Sequence, residues 1–433
     1  MSDKSKLTRR HFLQGCGGLL LLAGGGWAFG RSGMKEEAVQ AVRQMQRGES
    51  MDARFVRQII TKDSGASRTI MWQSAAEQRE AAIEYRLLGQ EEAQAAPASN
   101  EPFDDDGVHV VLHSGKLENL EPGQEYEYRL TNGEESGNWH KLATDDGGSF
   151  KALIFPDSQS SDYTDWQNLA QAAWQRNPDA AFFVNMGDLV DNGEDHTQWN
   201  AWFNALEGMM DVIPVVPVMG NHETYDQKWE VRWPEAYLRE FDVPENGSRD
   251  FERHYYSFDY GPVHFSVLNT QWDELDDFKQ GILDEQLAWL PEDIKASSKK
   301  WKVVLLHKDV LQYRIHNRPE RKEGISEVGQ IFMPVFEELG IDLVLSAHLH
   351  TYRDRGHIQN FQSSRQGPFY ILTGVAGNVR YPNLWIDHAL DRKVAPQPET
   401  DNYLTLEADE DALRVQCFLP DGTVIDDARI TKA

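Results

Sequence analysis

Five short polar clusters carry the reactive side chains of this 433-residue chain, and each comes at the end of an apolar run. "KALIFP" ends in Asp157-Ser158-Gln159, "AAFFVNMG" in Asp188 with Asp191 three residues on, and "PVVPVMG" in Asn221-His222-Glu223. "WKVVLL" ends in His307, and "DLVLSA" in His348 and His350. Taken singly, each has a plain structural explanation. A strand-end Asp caps a turn or helix, a lone His sits satisfied in a core, and Asn is ordinary turn chemistry. Taken in order, they place carboxylate, amide and imidazole donors after successive strands. In open α/β sheets, ligand sites lie outside the carboxyl ends of the strands, so the clusters converge on one crevice. Oxygen and nitrogen donors without thiolate suit manganese, iron or zinc. A carboxylate such as Asp188 can bridge two cations about 3.5–4 Å apart, which clamp a phosphoryl group and lower the pKa of a bound water toward about 7. The pattern is that of a dinuclear hydrolytic site.

The elements that must position these groups fall into two rhythms. From Met51 the chain reads as short alternating segments, "FVRQIIT", "RTIMWQS", "AAIEYRLL", "VHVVLHS", "YEYRL" and "WHKLAT", which predict a small antiparallel sandwich with Trp72 in its core. The acidic, alanine-rich stretch 90–107 reads as a loop. After Gly147 and Gly148 the runs become continuously apolar and alternate with amphipathic helices, as expected of strands covered on both faces. One such helix is predicted over 162–176, with Trp166, Leu169, Ala170, Ala173 and Trp174 on one face. The tail, 403–430, returns to alternation around Asp421-Gly422 and reads as a hairpin at a sheet edge. The segment 378–402 lacks periodicity and is a candidate lid or specificity loop. The fold class is therefore α/β, a β-sandwich flanked by helices behind a small all-β sandwich. The expected divisions are 1–33, 34–50, 51–146 and 147–433.

Composition limits the partners. The 70 acidic against 43 basic residues leave a net charge of −27, a field that repels phosphate backbones, so no nucleic-acid coat is expected. At the N-terminus, Lys4, Lys6, Arg9 and Arg10 precede an apolar run from Leu19 to Phe29 that is short for a bilayer span. "LTRRHFLQG" resembles a twin-arginine export signal, which implies a periplasmic or extracellular protein, with an uncleaved membrane anchor as the alternative. Residues 34–47 carry helical spacing and read as a short lead-in. Cys16 precedes the apolar run and is not read as a lipidation site. Removal of the signal leaves Cys417 alone, so no intramolecular disulfide is expected. No later stretch approaches a membrane span, so no membrane association is expected after signal removal.

The motif series resembles that of the calcineurin-like metallophosphoesterases: D-x-H or D-x-Q, GDxxD, GNHE or GNHD, a lone His after a strand, and GHxH. Within that family it is most similar to the purple acid phosphatases, which place a fibronectin type III-like domain ahead of the catalytic one. "LENLEPGQEYEYRL" resembles the end of that domain. "YYSFDYGPVHFSVLNT", "DEQLAWL", "AHLHTYRDR" and "YILTGVAGN" resemble catalytic-domain stretches. The resemblance implies one metal on Asp157, Gln159 and His350, a second on Asn221, His307 and His348, and Asp188 bridging them. It further implies a metal-bound hydroxide as nucleophile. His222 would lie at the leaving-group oxygen as proton donor or charge stabiliser, with Asp191 holding its ring in one tautomer.

Three departures bear on this. Asp191 stands where purple acid phosphatases have the tyrosine that gives their colour and their hold on ferric iron. Gln159 replaces a histidine, a weaker donor that favours an exchangeable metal such as manganese. Ala347 stands for the glycine of GHxH and fits if its φ is negative. The expected activity is hydrolysis of a small phosphorylated substrate, a phosphate monoester. The alternatives are a phosphodiesterase of the same family, or a glycan-binding or adhesion module carrying a relic hydrolase domain. Substrate contacts are open: Arg253, His254, Arg314 and His316 could rim the crevice, and Glu223 and Tyr225 could shape a pocket or serve only packing.

Overall fold

The computed structural model describes residues 51–396 and 399–432. The expected signal segment, the helical lead-in and Cys16 lie outside the described residues. Among the described residues no helix is long and apolar enough to cross a membrane. The fold is mixed α/β and rich in sheet.

Two sheets with parallel centres face each other. In the first, Phe150–Phe155, Phe182–Asn185 and Val215–Pro217 run parallel, with Leu153 beside Phe183 and Phe183 beside Val215. In the second, Val263–Val267, Trp301–Leu305, Leu343–Ser346 and Phe369–Thr373 run parallel, with Phe265 beside Val303 and Val303 beside Leu343. Their facing sides interdigitate. Phe182 of the first sheet lies 5.8, 5.0 and 5.7 Å, ring centre to ring centre, from Phe258, Tyr260 and Phe265 of the second. The strands are apolar on both faces because helices cover the outer sides. Helix Thr164–Arg176 buries Trp166, Leu169, Ala170 and Ala173, with the Trp166 ring 5.1 Å from Phe155. On the far side, Ile282–Ala296 and Glu327–Leu339 pack Leu290, Phe332 and Phe336 into a second apolar cluster. Helix Glu327–Leu339 starts on Ser326, whose side chain accepts from Gly329 N, and ends on Gly340 in the left-handed region at φ 65°.

The N-terminal sandwich has Trp72 fully buried among Ile70, Ile83, Tyr128 and Leu130. Its two sheets end differently. Gln94–Pro97, Ala82–Leu87, Glu125–Thr131 and His140–Ala143 form a separate sheet of four strands, whereas Arg54–Ile59, Arg68–Ser74, Val108–Leu117 and Glu101–Asp105 continue the first of the two facing sheets into ten strands. The joint is a parallel pairing of Ile59 with Val215, reinforced by Ile60 N donating to Val215 O at 3.1 Å. Buried Arg57 also reaches across it, donating to the Glu240 carboxylate at 2.7 Å and to the Glu240 carbonyl.

The loop expected at 90–107 is instead two strands, Gln94–Pro97 and Glu101–Asp105. Both are edge strands and bury few side chains, so their sequence carries little apolar alternation, and backbone pairing with Ala82–Leu87 and Val108–Leu117 forms them. The tail supplies three strands, Tyr403–Ala408, Leu413–Phe418 and Val424–Ile430, the last of them at the sheet edge. Cys417 is a free, buried thiol.

Candidate functional site

Every motif begins where a parallel strand ends, and both sheets send their carboxyl ends to one place. Asp157 and Gln159 follow Phe150–Phe155, Asp188 follows Phe182–Asn185, and Asn221 follows Val215–Pro217. From the second sheet, His307 follows Trp301–Leu305, and His348 and His350 follow Leu343–Ser346. Turns this tight need small residues. A Cβ on Gly187 would stand 2.4 Å from His307 Nδ1, and one on Gly220 would stand 2.2 Å from Asp188 Oδ1. Asp188, His348 and His350 hold left-handed φ values of 48°, 76° and 51°. Strain of this kind, about 1–3 kcal/mol per residue, clusters at functional sites. Ala347 is not among the left-handed residues, and its methyl is fully buried.

The seven donors converge. One set comprises Asp188, His307 and His348; the other comprises Asp157, Asp188 and His350. Within each set, one donor atom per residue lies within 4.8 Å of the others, and Asp188 belongs to both. Asp188 Oδ2 is 3.1 Å from His307 Nε2, and Asp157 Oδ1 is 3.6 Å from His350 Nε2. Asn221 Oδ1 stands 3.2 Å from His307 Nε2, and His348 Nδ1 3.3 Å from the same atom. Two observations show that this cradle suits cations. The Gln159 side-chain oxygen is buried with no hydrogen-bond partner, a costly state that a cation relieves. With His307 Nδ1 on the Met186 carbonyl, Nε2 of a neutral ring is an acceptor, yet it faces two further oxygen acceptors, Asp188 Oδ2 at 3.1 Å and Asn221 Oδ1 at 3.2 Å. The far nitrogens of two histidines are fixed by backbone carbonyls, His307 Nδ1 by Met186 O at 2.9 Å and His350 Nδ1 by Val379 O, the outer-shell support typical of metal-binding imidazoles.

Charge follows the geometry. Burial works to raise the Asp188 carboxyl, but His307 and His222 outweigh it and hold it well below the carboxylate range. Burial opposes charge on His307, yet Asp188 and Asp157 push its pKa up to about 9. His348 goes the other way, to about 3, through burial and the charge of His307.

His222 sits beside the shared carboxylate. Its backbone N donates to Asp188 Oδ1 at 2.9 Å, and Nε2 lies 3.2 Å from Gln159 Nε2. Its Nδ1 is 2.7 Å from the Asp191 backbone carbonyl, while the Asp191 carboxylate is 3.5 Å away. The ring is thus oriented chiefly by main chain, and the Asp191 carboxylate faces the site and Gln159.

Sequence reasoning undervalued Glu223. Its buried carboxylate accepts from Gly220 N, Leu189 N and Asp188 N at 2.7, 2.8 and 3.0 Å, clamping the Asp188 turn to the Asn221 turn. Burial and the Asp188 charge push its carboxyl up to about 7, against the pull of these N–H groups. Asp309, two residues beyond His307, was also missed. It takes both arms of Arg355 at 2.7 and 2.8 Å and the Ser346 hydroxyl at 2.6 Å, tying the His307 loop to the two ends of the His348–His350 loop. Its signal was a charged residue just past a buried strand, readable only once its partner is known.

The remaining candidates separate. His254 is buried with Nδ1 on Glu252 O, and Arg253 is engaged by Asp242 and Glu245. Arg314 pairs with Glu323, and His316 is an exposed surface residue. Tyr225 packs edge-on to His222 at 5.5 Å. From the 378–402 segment, Tyr381 lies 4.8 Å from the His350 ring, ring centre to ring centre. Burial together with Asp188, Asp157 and Asp191 pushes its phenol up.

Comparison with known proteins agrees with this geometry. Residues 139–352 match the family described as calcineurin-like phosphoesterase, and residues 54–144 match the purple acid phosphatase N-terminal domain. Purple acid phosphatase 15 of Arabidopsis thaliana is 29% identical over 209 residues, 47% of this chain and 36% of that protein. Acid phosphatase type 7 of Mus musculus is 25% identical over 322 residues, 65% of this chain and 70% of that one. The chain thus spans little more than a third of the plant relative. A purple acid phosphatase from yellow lupin (Lupinus luteus) seeds shares the fold at a TM-score of 0.75 and 18% identity, over 88% of this chain and 75% of its own. With its strand-end donors converging around one shared aspartate, the chain is similar to the calcineurin-like phosphoesterases over residues 139–352 and to the purple acid phosphatase N-terminal domain over residues 54–144.

Proposed function

We propose that this protein is an exported phosphoesterase that hydrolyses phosphate monoesters with the help of two metal ions. The observation that carries this reading is the pair of donor sets sharing Asp188. Asp157, Gln159 and His350 would hold one ion, Asn221, His307 and His348 the other, and Asp188 both. Bound there, two ions of manganese, iron or zinc supply Lewis acidity to the phosphoryl oxygens and activate water. The side chains around them do the rest. His222, its Nδ1 turned to the Asp191 carbonyl, presents Nε2 to the crevice and donates a proton to the departing oxygen. Asp191 stands where the coloured enzymes have their tyrosine, so no tyrosinate is at hand for a charge-transfer colour, and the amide of Gln159 in place of a histidine supports an exchangeable centre. The Glu223 clamp keeps the Asp188 and Asn221 turns in register, so the donors are in place before substrate arrives.

The test is an ester panel on metal-depleted protein reloaded separately with manganese, zinc and iron. We expect p-nitrophenyl phosphate to be hydrolysed well ahead of bis-p-nitrophenyl phosphate, with activity lost on chelation and recovered from the exported fraction of cells making the full chain. Preference for the diester moves the assignment to a phosphodiesterase. Inertness toward both esters with every metal overturns the hydrolase reading in favour of a binding module.

A further inference from the structure

The His222 ring is flanked by two aromatic rings. Tyr225 and Trp229 both meet the His222 ring edge-to-face, with centroids at 5.5 and 5.6 Å and planes at 86° and 90°, and they lie 6.0 Å from each other. Trp229 is 55% exposed and belongs to none of the apolar clusters among the described residues. It is not there to fill a core. Its backbone sits at φ 65°, a conformation that is a true outlier for so bulky a side chain. The surrounding turn is built to hold it. Asp226 Oδ1 accepts from Lys228 N and Glu230 N, both at 2.8 Å. Asn192 Nδ2 donates to the Asp226 carbonyl at 3.0 Å, and Tyr225 pairs with Val231 to close the turn. A strained, braced and exposed tryptophan against the proton donor is placed for contact with something outside the protein.

If His222 stands at the leaving-group oxygen, the rest of the leaving group extends past His222 and meets these two rings. We infer that Trp229, with Tyr225 beside it, is a stacking platform that makes the site select phosphate esters of alcohols carrying a planar ring over compact aliphatic ones. The inference rests on the hydrolase reading above and deepens it. Stacking on an aromatic side chain is worth enough to change affinity about tenfold without touching the chemical step.

The experiment compares the wild-type protein with Trp229→Ala and Trp229→Phe on 1-naphthyl phosphate, adenosine 5′-monophosphate and glycerol 2-phosphate. Calorimetry of 1-naphthylmethylphosphonate and methylphosphonate on the same proteins gives a readout independent of turnover. Trp229→Ala should raise KM about tenfold for the ring-bearing esters and weaken the naphthyl phosphonate to match. It should leave kcat within about twofold and glycerol phosphate unchanged, and Trp229→Phe should restore most of the loss. A response to naphthyl but not adenosine phosphate assigns the platform to aryl esters, and the reverse assigns it to nucleotides. Equal losses on all three esters, or none, overturn the platform while leaving a working hydrolase. A wild-type protein inert toward all three, binding neither phosphonate, overturns the hydrolase reading and this one together.

Discussion

At the residue scale, the proposed mechanism gives His348 and His222 different tasks, one holding metal and the other moving a proton. His348 lies 3.3 Å from His307 and belongs to a donor set, whereas His222 reaches the shared carboxylate mainly through its backbone N–H. The two positions should therefore fail differently. His348→Ala should lower bound metal measured by elemental analysis and remove most activity with it. His222→Ala should keep the metal content of the parent and lower kcat by about 10²–10⁴-fold, the usual contribution of a positioned proton donor. Equal metal loss in both would show that His222 is a ligand. The meeting of these side chains in one place was legible in the sequence because a residue immediately after a buried strand has a fixed address at the sheet's carboxyl end. The orientation of His222 was not. The sequence offers the Asp191 carboxylate as its partner, while the folded chain uses the Asp191 carbonyl, a group present at every position and so invisible in a pattern of side chains.

At the scale of elements, the loops bearing the donors are held by buried charge. Arg355 is wholly buried and gives two hydrogen bonds to Asp309, and Ser346 gives a third. Removing one partner of such a pair leaves the other uncompensated at about 3–5 kcal/mol. Asp309→Ala should lower the unfolding free energy in urea by about that amount and weaken metal retention by the His307 and His348 donors. Asp309→Asn, which keeps the shape, should be milder in both measures. Helix Thr164–Arg176 could be read from its apolar face, which contacts the sheet beneath it, because that signal is local. The Asp309–Arg355 pair joins residues 46 apart, and nothing in either neighbourhood names the other. The strands Gln94–Pro97 and Glu101–Asp105 were hidden for a related reason: an edge strand is made by its neighbour's backbone, and its own side chains stay in water.

At the scale of the whole molecule, buried histidines link stability to pH. His254 packs against Trp233 and Phe251, and burial lowers its pKa from the ordinary 6.5 to about 4. It is neutral in the fold and gains a proton in the unfolded chain below 6.5, so its contribution is complete above that pH and is lost as the pH falls toward 4. Urea unfolding at pH 6.5, 5.5 and 4.5 should show His254→Gln losing less stability on acidification than the parent, with a difference in slope approaching one proton, about 1.4 kcal/mol per pH unit. Parallel slopes would mean that this imidazole is already protonated in the native state. The broad plan, a sandwich ahead of an α/β body, was legible from the change of rhythm near residue 147. The continuity between them was not, because it rests on a pairing of Ile59 with Val215. That single seam has an evolutionary corollary. A front module that merely abutted the α/β body could be swapped or shed by recombination at the linker. One that supplies the neighbouring strand to the segment leading into the Asn221 turn must be inherited with it, since its excision would bare an unpaired β-edge directly behind that turn.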